Sequence, residues 1–487
     1  MRLQKAIVLL ISLLFTFTGI ATSNELQTNP SQTKRWTLEA CIQHAMENNI
    51  SLQRLRLLEE EAAIQQNTAR SSRMPNLNIQ VRQEMNFSRM EDLIGDFQNF
   101  NALSTNANAI SVIPLFTGFR IPNQIEHTRL ERLVSTQNLE KAKMDLSLHI
   151  TALFLQVLFF RELHTITEVQ LQLGKDQLER TRFLIQAGNI PASHQCDIEA
   201  QIAKDRVAVL DAKNNMELAL LALAQSLELD RTVDFDIYVP DLVDNLLNNS
   251  QIILPLYGSE TDKMTIALMG RWLPDPNAVF ENALTINPAI RGQQYRIESM
   301  KRVVQIAQAG YLPTLDFTVG IGSRYQRTFR PTDLINPITQ QPVNLNPSFS
   351  EQVRNHGAQF VGLHLTIPIL NRNQVRNQVR SAQLDVLNQQ LILEENKKNL
   401  FHEIQIAHKN ATAARERYHA TNLVIKSVNK SFEHVRRRYE IGGVTVFEFN
   451  EARSRLIQSL SEQTQAKFEY ILRSQIVNFY DGLPIRL

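Results

Sequence analysis

The chain is written twice, and no other feature constrains its fold as strongly. Glu39-Ala40-Cys41-Ile42, then Ala45, Asn49 and Leu52, then Met74-Pro75-Asn76-Leu77 recur as Asn277-Ala278-Val279-Phe280, then Ala283, Asn287 and Ile290, then Leu312-Pro313-Thr314-Leu315. All share one offset, 277 − 39 = 238. Further on, Ile113-Pro114-Leu115-Phe116 recurs as Ile367-Pro368-Ile369-Leu370, and Ala187-Gly188 as Ile441-Gly442, both at 367 − 113 = 254. A stable fold must therefore use one supersecondary unit two times over. The division reads as a first repeat over 36–240, a connector over 241–272 and a second repeat over 273–487.

Each repeat reads helix, strand, strand, long helix, turn, helix. Thr37 to Met74 holds neither Gly nor Pro and predicts one helix that stops at Pro75. Alternation follows, with Leu77, Ile79 and Val81 against Asn78, Gln80 and Arg82, and with Leu315, Phe317, Val319 and Ile321 against Asp316, Thr318, Gly320 and Gly322. Val361, Leu363, Leu365 and Ile367 form the return run of the second repeat. Period-two alternation predicts strands with one apolar and one polar face. The fourth strand, Asn106 to Phe116, alternates poorly, and the polar stretches from Ser88 to Asn106 and from Thr328 to Gly357 read as loops.

Glycine is scarce, 16 in 487 residues, where ordinary usage is about 7%. Between Pro368 and Gly442 there is no Gly or Pro, so a single helix of roughly 100 Å is expected at 1.5 Å per residue. Val379, Ala382, Val386, Leu393, Leu400, Ile404 and Ala407 advance in steps of three, four or seven, a coiled-coil seam. Asn123 to Ala187 repeats the pattern around Gly174, with Ala192 to Val239 and Val444 to Asp481 as returning partners. The fold class expected is mainly α with a small β component: long helical hairpins plus four strands per chain.

Several function classes drop away. Arg2 and Lys5, the apolar run Ala6 to Phe17 and the small residues Gly19-Ile20-Ala21 read as a signal peptide over 1–21. No cysteine stands there to be acylated, so a lipoprotein is not expected. Without Arg2 and Lys5, Lys+Arg falls to 51 − 2 = 49 against 49 Asp+Glu, which leaves no nucleic-acid footprint. Cys41 and Cys196 sit on different predicted helices and are expected to be unpaired. His402-Glu403 with His408 has the wrong spacing for a zinc-protease helix, and Cys41 with His44 lacks a second ligand pair. No nucleophile, base and metal constellation appears, so the chain does not read as an enzyme. The apolar run Ala152 to Phe160 reads as helix packing on several sides.

Four amphipathic strands cannot close a barrel, and open strand edges are not tolerated in hydrocarbon. Known barrels begin at about eight strands, which two copies would reach and three would exceed. Asn78, Gln80, Asp316 and Thr318 would then line the lumen.

The helix starts, the Met-Pro and Leu-Pro strand starts (Pro75, Pro313), the Ile-Pro strand exits (Pro114, Pro368) and the tip Tyr439-Glu440-Ile441-Gly442 together resemble the TolC family of outer-membrane channels. The resemblance covers nearly all of the chain after residue 21. It implies a homotrimer with a twelve-stranded transmembrane β-barrel in outer-membrane lipid, a periplasmic helical tunnel, no cofactor and no catalysis. The partners it implies are a periplasmic adaptor and an inner-membrane pump, or alternatively a type I secretion translocator. It also implies a gate at the hairpin tips marked by Gly188, Gly442 and Gly443, with Glu448 and Glu451 as a carboxylate ring, Tyr439 as a closing contact and Asp197 as the acid of the first tip. The arginine that the family pattern expects two residues after Gly442 is Val444 here. A soluble periplasmic coiled-coil adaptor is the rival reading; it accounts for the helices but not for two matched pairs of strands.

Overall fold

The computed structural model describes residues 35–91, 97–188, 191–229, 235–238, 273–329 and 346–483. The proposed signal peptide and the connector 241–272 lie outside the described residues.

The first repeat runs β1 (Arg35–Trp36), α1 (Leu38–Asn48), α2 (Ile50–Ser71), β2 (Asn76–Glu91), β3 (Phe97–Thr117), α3 (Arg120–Gln186), α4 (Ser193–Ser226) and β4 (Asp236–Ile237). The second runs α5 (Pro276–Ile286), α6 (Pro288–Gln308), β5 (Thr314–Phe329), α7 (Phe349–Asn355), β6 (Ala358–Thr366), α8 (Gln374–Glu440) and α9 (Val446–Tyr480). The sheet order is β2-β3-β5-β6, antiparallel throughout, with β2 and β6 at its edges.

The duplication reaches into the backbone. In place of one helix from Thr37 to Met74 there are two, broken at Asn49, which is extended (ψ 124°) and whose side chain accepts from the Leu52 N–H. Asn287 repeats this with ψ 120°, accepting from Ala289 N–H ahead of Pro288. Each asparagine ends one helix and caps the next, a role that suits its short acceptor side chain. Strands pass into the long helices through two consecutive left-handed residues, Gly118-Phe119 and Arg372-Asn373. Only the first pair uses glycine, whose added Cβ would lie 2.8 Å from the Ala309 carbonyl oxygen.

Both long helices are 67 residues, and α3 continues through Gly174 without a break. Seam positions Ala382, Leu400, Ile404 and Ala407 are buried. The first returning helix stops at Ser226 rather than near Val239, because Glu228 turns left-handed (φ 55°) and the N–H of Leu229 bonds back to Ala224. Beyond it, β4 pairs in parallel with β1.

The strands are longer than their alternation showed. Much of the predicted 88–106 loop is strand: β2 extends to Glu91 and β3 begins at Phe97. Likewise β5 reaches Phe329, and the predicted 328–357 loop contains α7. Register explains why β3 alternates poorly. Ala107, Ala109 and Ser111 lie in cross-strand rows with Val81, Ile79 and Leu77, so small side chains occupy its apolar face while Ile110 and Val112 share the face of Asn78 and Asn76. A bulge between Pro114 and Phe116 places Pro114 inside the strand. On the polar face, Gly320 pairs with Phe360, whose ring would lie 2.2 Å from an added Cβ, so the glycine makes room for the aromatic side chain.

On the side nearer the sheet the helices pack in the order α2, α3, α6, α8; toward the tips the order is α4, α3, α9, α8. Among the described residues the largest apolar core joins Leu38, Cys41 and Ala45 of α1 to Ile150, Phe154 and Val157 of α3 and Leu223 of α4. By length and composition α3 contains a window apolar enough to cross a membrane; the run Ala152 to Phe160 contributes to this core. Cys41 is buried there, its thiol pushed up to about 12 by burial, and both cysteines are free. The repeats are stitched at α3 and α6, where fully buried Ser299 donates to Glu131 (2.5 Å) and lies 2.7 Å from His127 Nδ1.

Candidate functional site

Two surfaces carry the chemistry expected of a channel: the sheet and the helical tips. On the sheet, the row set Leu77, Ile79, Val81 with Val319, Ile321 and Val361, Leu363, Leu365 is exposed; Ile79 is 73% and Val361 69% accessible. Pro75 and Pro313 stand directly before β2 and β5, and Pro368 follows β6 by two residues.

At the second tip, Gly442 takes φ +75° and its N–H bonds to the Tyr439 carbonyl (3.0 Å), while Gly443 N–H reaches Arg438 (2.7 Å). This double bond pattern ends a helix on a left-handed residue, which glycine adopts without steric cost. Thr445 then starts α9 with a capping box: its hydroxyl accepts from Glu448 N–H (3.2 Å), and Glu448 accepts from Thr445 N–H (2.8 Å). The Thr445 backbone N–H and then its hydroxyl hold the Glu448 carboxyl below the usual carboxylate range. Glu451, one turn on and exposed, is bound by Arg455 at 2.5 Å. The two predicted ring acids thus share a face, each with a partner on its own hairpin.

Tyr439 stacks on Phe449 with ring centroids 4.7 Å apart, and packs between Val446 with Ile198 on one side and Phe432 with Leu456 on the other. Asp197 is exposed on α4, one residue beyond its first turn. Gly188 marks the first tip with φ +76°. A cleft of about 740 Å³ lies against the second tip, lined by Leu184 and His194 of the first hairpin and by Tyr439 through Val446 and Glu448. Of the three consecutive arginines before this tip, Arg437 and Arg438 are exposed, whereas Arg436 pairs with Glu433.

Sequence reasoning missed a buried ion pair near the tips. Arg453 of α9 and Asp205 of α4 form an ion pair at 2.8 Å, each side chain 2% exposed. Asp205 also accepts from Gln170 (2.7 Å) and Gln201 (3.0 Å). Burial pushes the Arg453 guanidinium below its usual pKa, opposed by the Asp205 charge. Gly174 makes the space: a Cβ there would sit 3.2 Å from Arg453 Nη1 and 3.3 Å from Asp205. The signal in the sequence was that lone glycine in an otherwise glycine-free helix.

Of the dismissed metal signals, Glu403 accepts from the Tyr480 hydroxyl (3.3 Å) and His44 packs edge-on against Trp36. Among the described residues no group of three potential ligands comes together.

Comparison with known proteins agrees with this geometry. The profile of the family described as Outer membrane efflux protein matches residues 41–228 and 279–477, one span per repeat. The chain is 21% identical over 418 residues to Outer membrane protein TolC of Escherichia coli (strain K12), covering 85% of this chain and 76% of that protein. It is 20% identical over 358 residues to Outer membrane efflux protein BepC of Brucella suis biovar 1 (strain 1330), covering 71% and 69%. In fold it is similar to CusC (TM-score 0.69, 16% identity, 94% of this chain and 96% of that one) and to the Campylobacter jejuni CmeC outer membrane channel (TM-score 0.68, 17% identity, 95% and 91%). The chain belongs to the outer membrane efflux protein family: it is a channel protein of the Gram-negative outer membrane and not an enzyme.

Proposed function

We propose that three copies close into one twelve-stranded barrel, continued by a helical duct into the periplasm, and that this duct passively conducts solutes handed over by a periplasmic adaptor and an inner-membrane pump. The observation that carries the reading is a four-stranded sheet with one exposed apolar face and, among the described residues, no strand paired on the outer side of β2 or β6. Such a face is stable in hydrocarbon, and there the edges must be paired. From Leu77 to Phe87 the apolar side of β2, interrupted by Gln83, covers about eleven residues, the length a tilted strand needs to cross a bilayer. Joining β2 of one copy to β6 of the next is a head-to-tail contact that closes as a ring. Three is the number the family resemblance implies.

The helices offer the same two edges. Leu384, Leu387 and Leu391 of α8 are exposed at helical spacing, and α2 at the opposite edge exposes Leu57, Leu58 and Ile64. Nearer the tips, Val207 and Leu210 of α4 stand at one edge and Leu423 of α8 at the other. At the tips, Glu448 and Glu451 with their symmetry mates form an acidic ring that favours cations through local potential, with Tyr439 holding the turn against Phe449 and Asp197 on the first tip.

Mass measurement in detergent together with planar-bilayer conductance tests the duct: a three-chain particle with discrete conductance is expected, and a conductance-silent monomer sinks it. Glu448→Ala with Glu451→Ala is expected to weaken cation preference. Unchanged selectivity and unchanged divalent block remove the ring.

A further inference from the structure

β6 pairs with β5 only from Thr314↔Thr366 to Gly322↔Ala358, whereas β5 continues to Phe329 and stays paired with β3 on its other side. Alternate residues of an antiparallel strand direct both backbone groups to the same edge. Arg324, Gln326 and Thr328 therefore present theirs where β6 has stopped. Side chains from α7 and its flanks take them. Gln352 accepts from Gln326 N–H (2.9 Å) and donates to the Gln326 carbonyl (2.9 Å). Asn346 does the same for Thr328, at 2.7 and 3.0 Å, and His356 Nδ1 lies 2.9 Å from the Arg324 carbonyl. Gln352 is 3% exposed, and Phe349 packs edge-on against Tyr325.

A helical turn thus stands in for a strand, and it is made from the residues a longer β6 would use. Carrying the Gly322↔Ala358 register upward would set His356 opposite Arg324 and Arg354 opposite Gln326. That adds Arg354 to the face already holding Arg324, and like charges on neighbouring cross-strand positions are unfavourable. The two carboxamides satisfy the same backbone groups without that cost.

We propose that α7 is the stop that limits how far the barrel seam zips between copies. Each seam is strand-paired along β6, Ala358 to Thr366, although β2 of the neighbouring copy runs from Asn76 to Glu91. Above that span the outer edge of β2 meets α7 of the next copy and not a strand, which fixes the stagger of the closed ring. This rests on the closed-ring reading above.

Cysteine cross-linking in outer membranes separates the two ideas. In a Cys196→Ser background, single cysteines along β2 are combined with Leu363→Cys, Gln359→Cys or Arg354→Cys. Leu363→Cys and Gln359→Cys are expected to yield oxidised oligomers with particular β2 positions, and Arg354→Cys less than about a tenth of that yield, since a disulfide needs Cα atoms within about 7 Å. Asn346→Ala with Gln352→Ala is expected to raise the Arg354→Cys yield severalfold while leaving Leu363→Cys unchanged. Absence of links at Leu363→Cys and Gln359→Cys overturns the ring itself. Links there with equal yield at Arg354→Cys, or no response to the double alanine variant, overturn the stop alone.

Discussion

Gly188 and Gly442 take nearly the same φ, +76° and +75°, yet the helices that leave the two tips begin differently. At the second tip Thr445 and Glu448 satisfy orphan N–H groups reciprocally before α9 starts. At the first, Ala192 precedes α4 and supplies no side-chain cap. Both turns therefore reverse the chain, but among the described residues only the second has a side-chain cap at its helix start, while the first is closed across the hairpin by Arg182 with Glu199 (3.2 Å). The start of α4 depends on what it packs against: Ile198 and Ile202 against Val446, and Asp205 against Arg453. A repeat can keep its backbone device while the energy that holds it moves from a cap to a tertiary contact.

The largest test breaks that tertiary contact. Arg453→Met leaves Asp205 charged and buried, expected to cost about 3–5 kcal/mol, whereas Arg453→Met with Asp205→Leu is expected to be near neutral. Hydrogen exchange should show the single variant loosening α4 more than α9; equal loosening would mean that α4 depends on the pair no more than α9 does. Gly174→Ala attacks the same contact by crowding, at about 1–3 kcal/mol in thermal unfolding in detergent.

A smaller effect is expected from the cap itself. Thr445→Ala should cost about 1 kcal/mol and act on α9 alone. The reverse experiment, Ala192→Asp, gives α4 the cap it lacks, with a gain of up to about 1 kcal/mol, read as slower proteolysis at the first tip. If the gain is absent, the two tips differ for some reason other than capping.

The smallest effect is pH-dependent. The Glu448 pKa is lowered in the folded chain, so its contribution is present above the ordinary glutamate value of 4.5 and is lost as pH falls through the lower folded value. Exchange at the α9 start is expected to quicken in that window, and Glu448→Gln to abolish the pH response.

Local pattern revealed the repeat, the two 67-residue helices, the strand starts at Pro75 and Pro313, and the tip glycines. These follow from neighbours in sequence: absence of Gly and Pro, period-two alternation, a left-handed turn. Asn49 and Asn287 were visible as matched residues, but their meaning as helix breaks was not, because asparagine is compatible with either a cap or a helix interior. The last four residues of β2, the first half of β3 and the last two residues of β5 were read as loops since their polar side chains lack alternation. A strand held by its neighbours' backbone groups does not require that pattern.

The order of elements, the length of the two outgoing long helices and the two-faced strands were thus set by the chain's own periodicities, which act over a few residues and need no partner. Tertiary structure alone decided that Asp205 meets Arg453 across 248 residues, that Gly174 opens the space for them, and that Gln352 and Asn346 replace a strand beside β5. Buried polar groups must find partners wherever the fold brings them, and local sequence spacing does not record that distance.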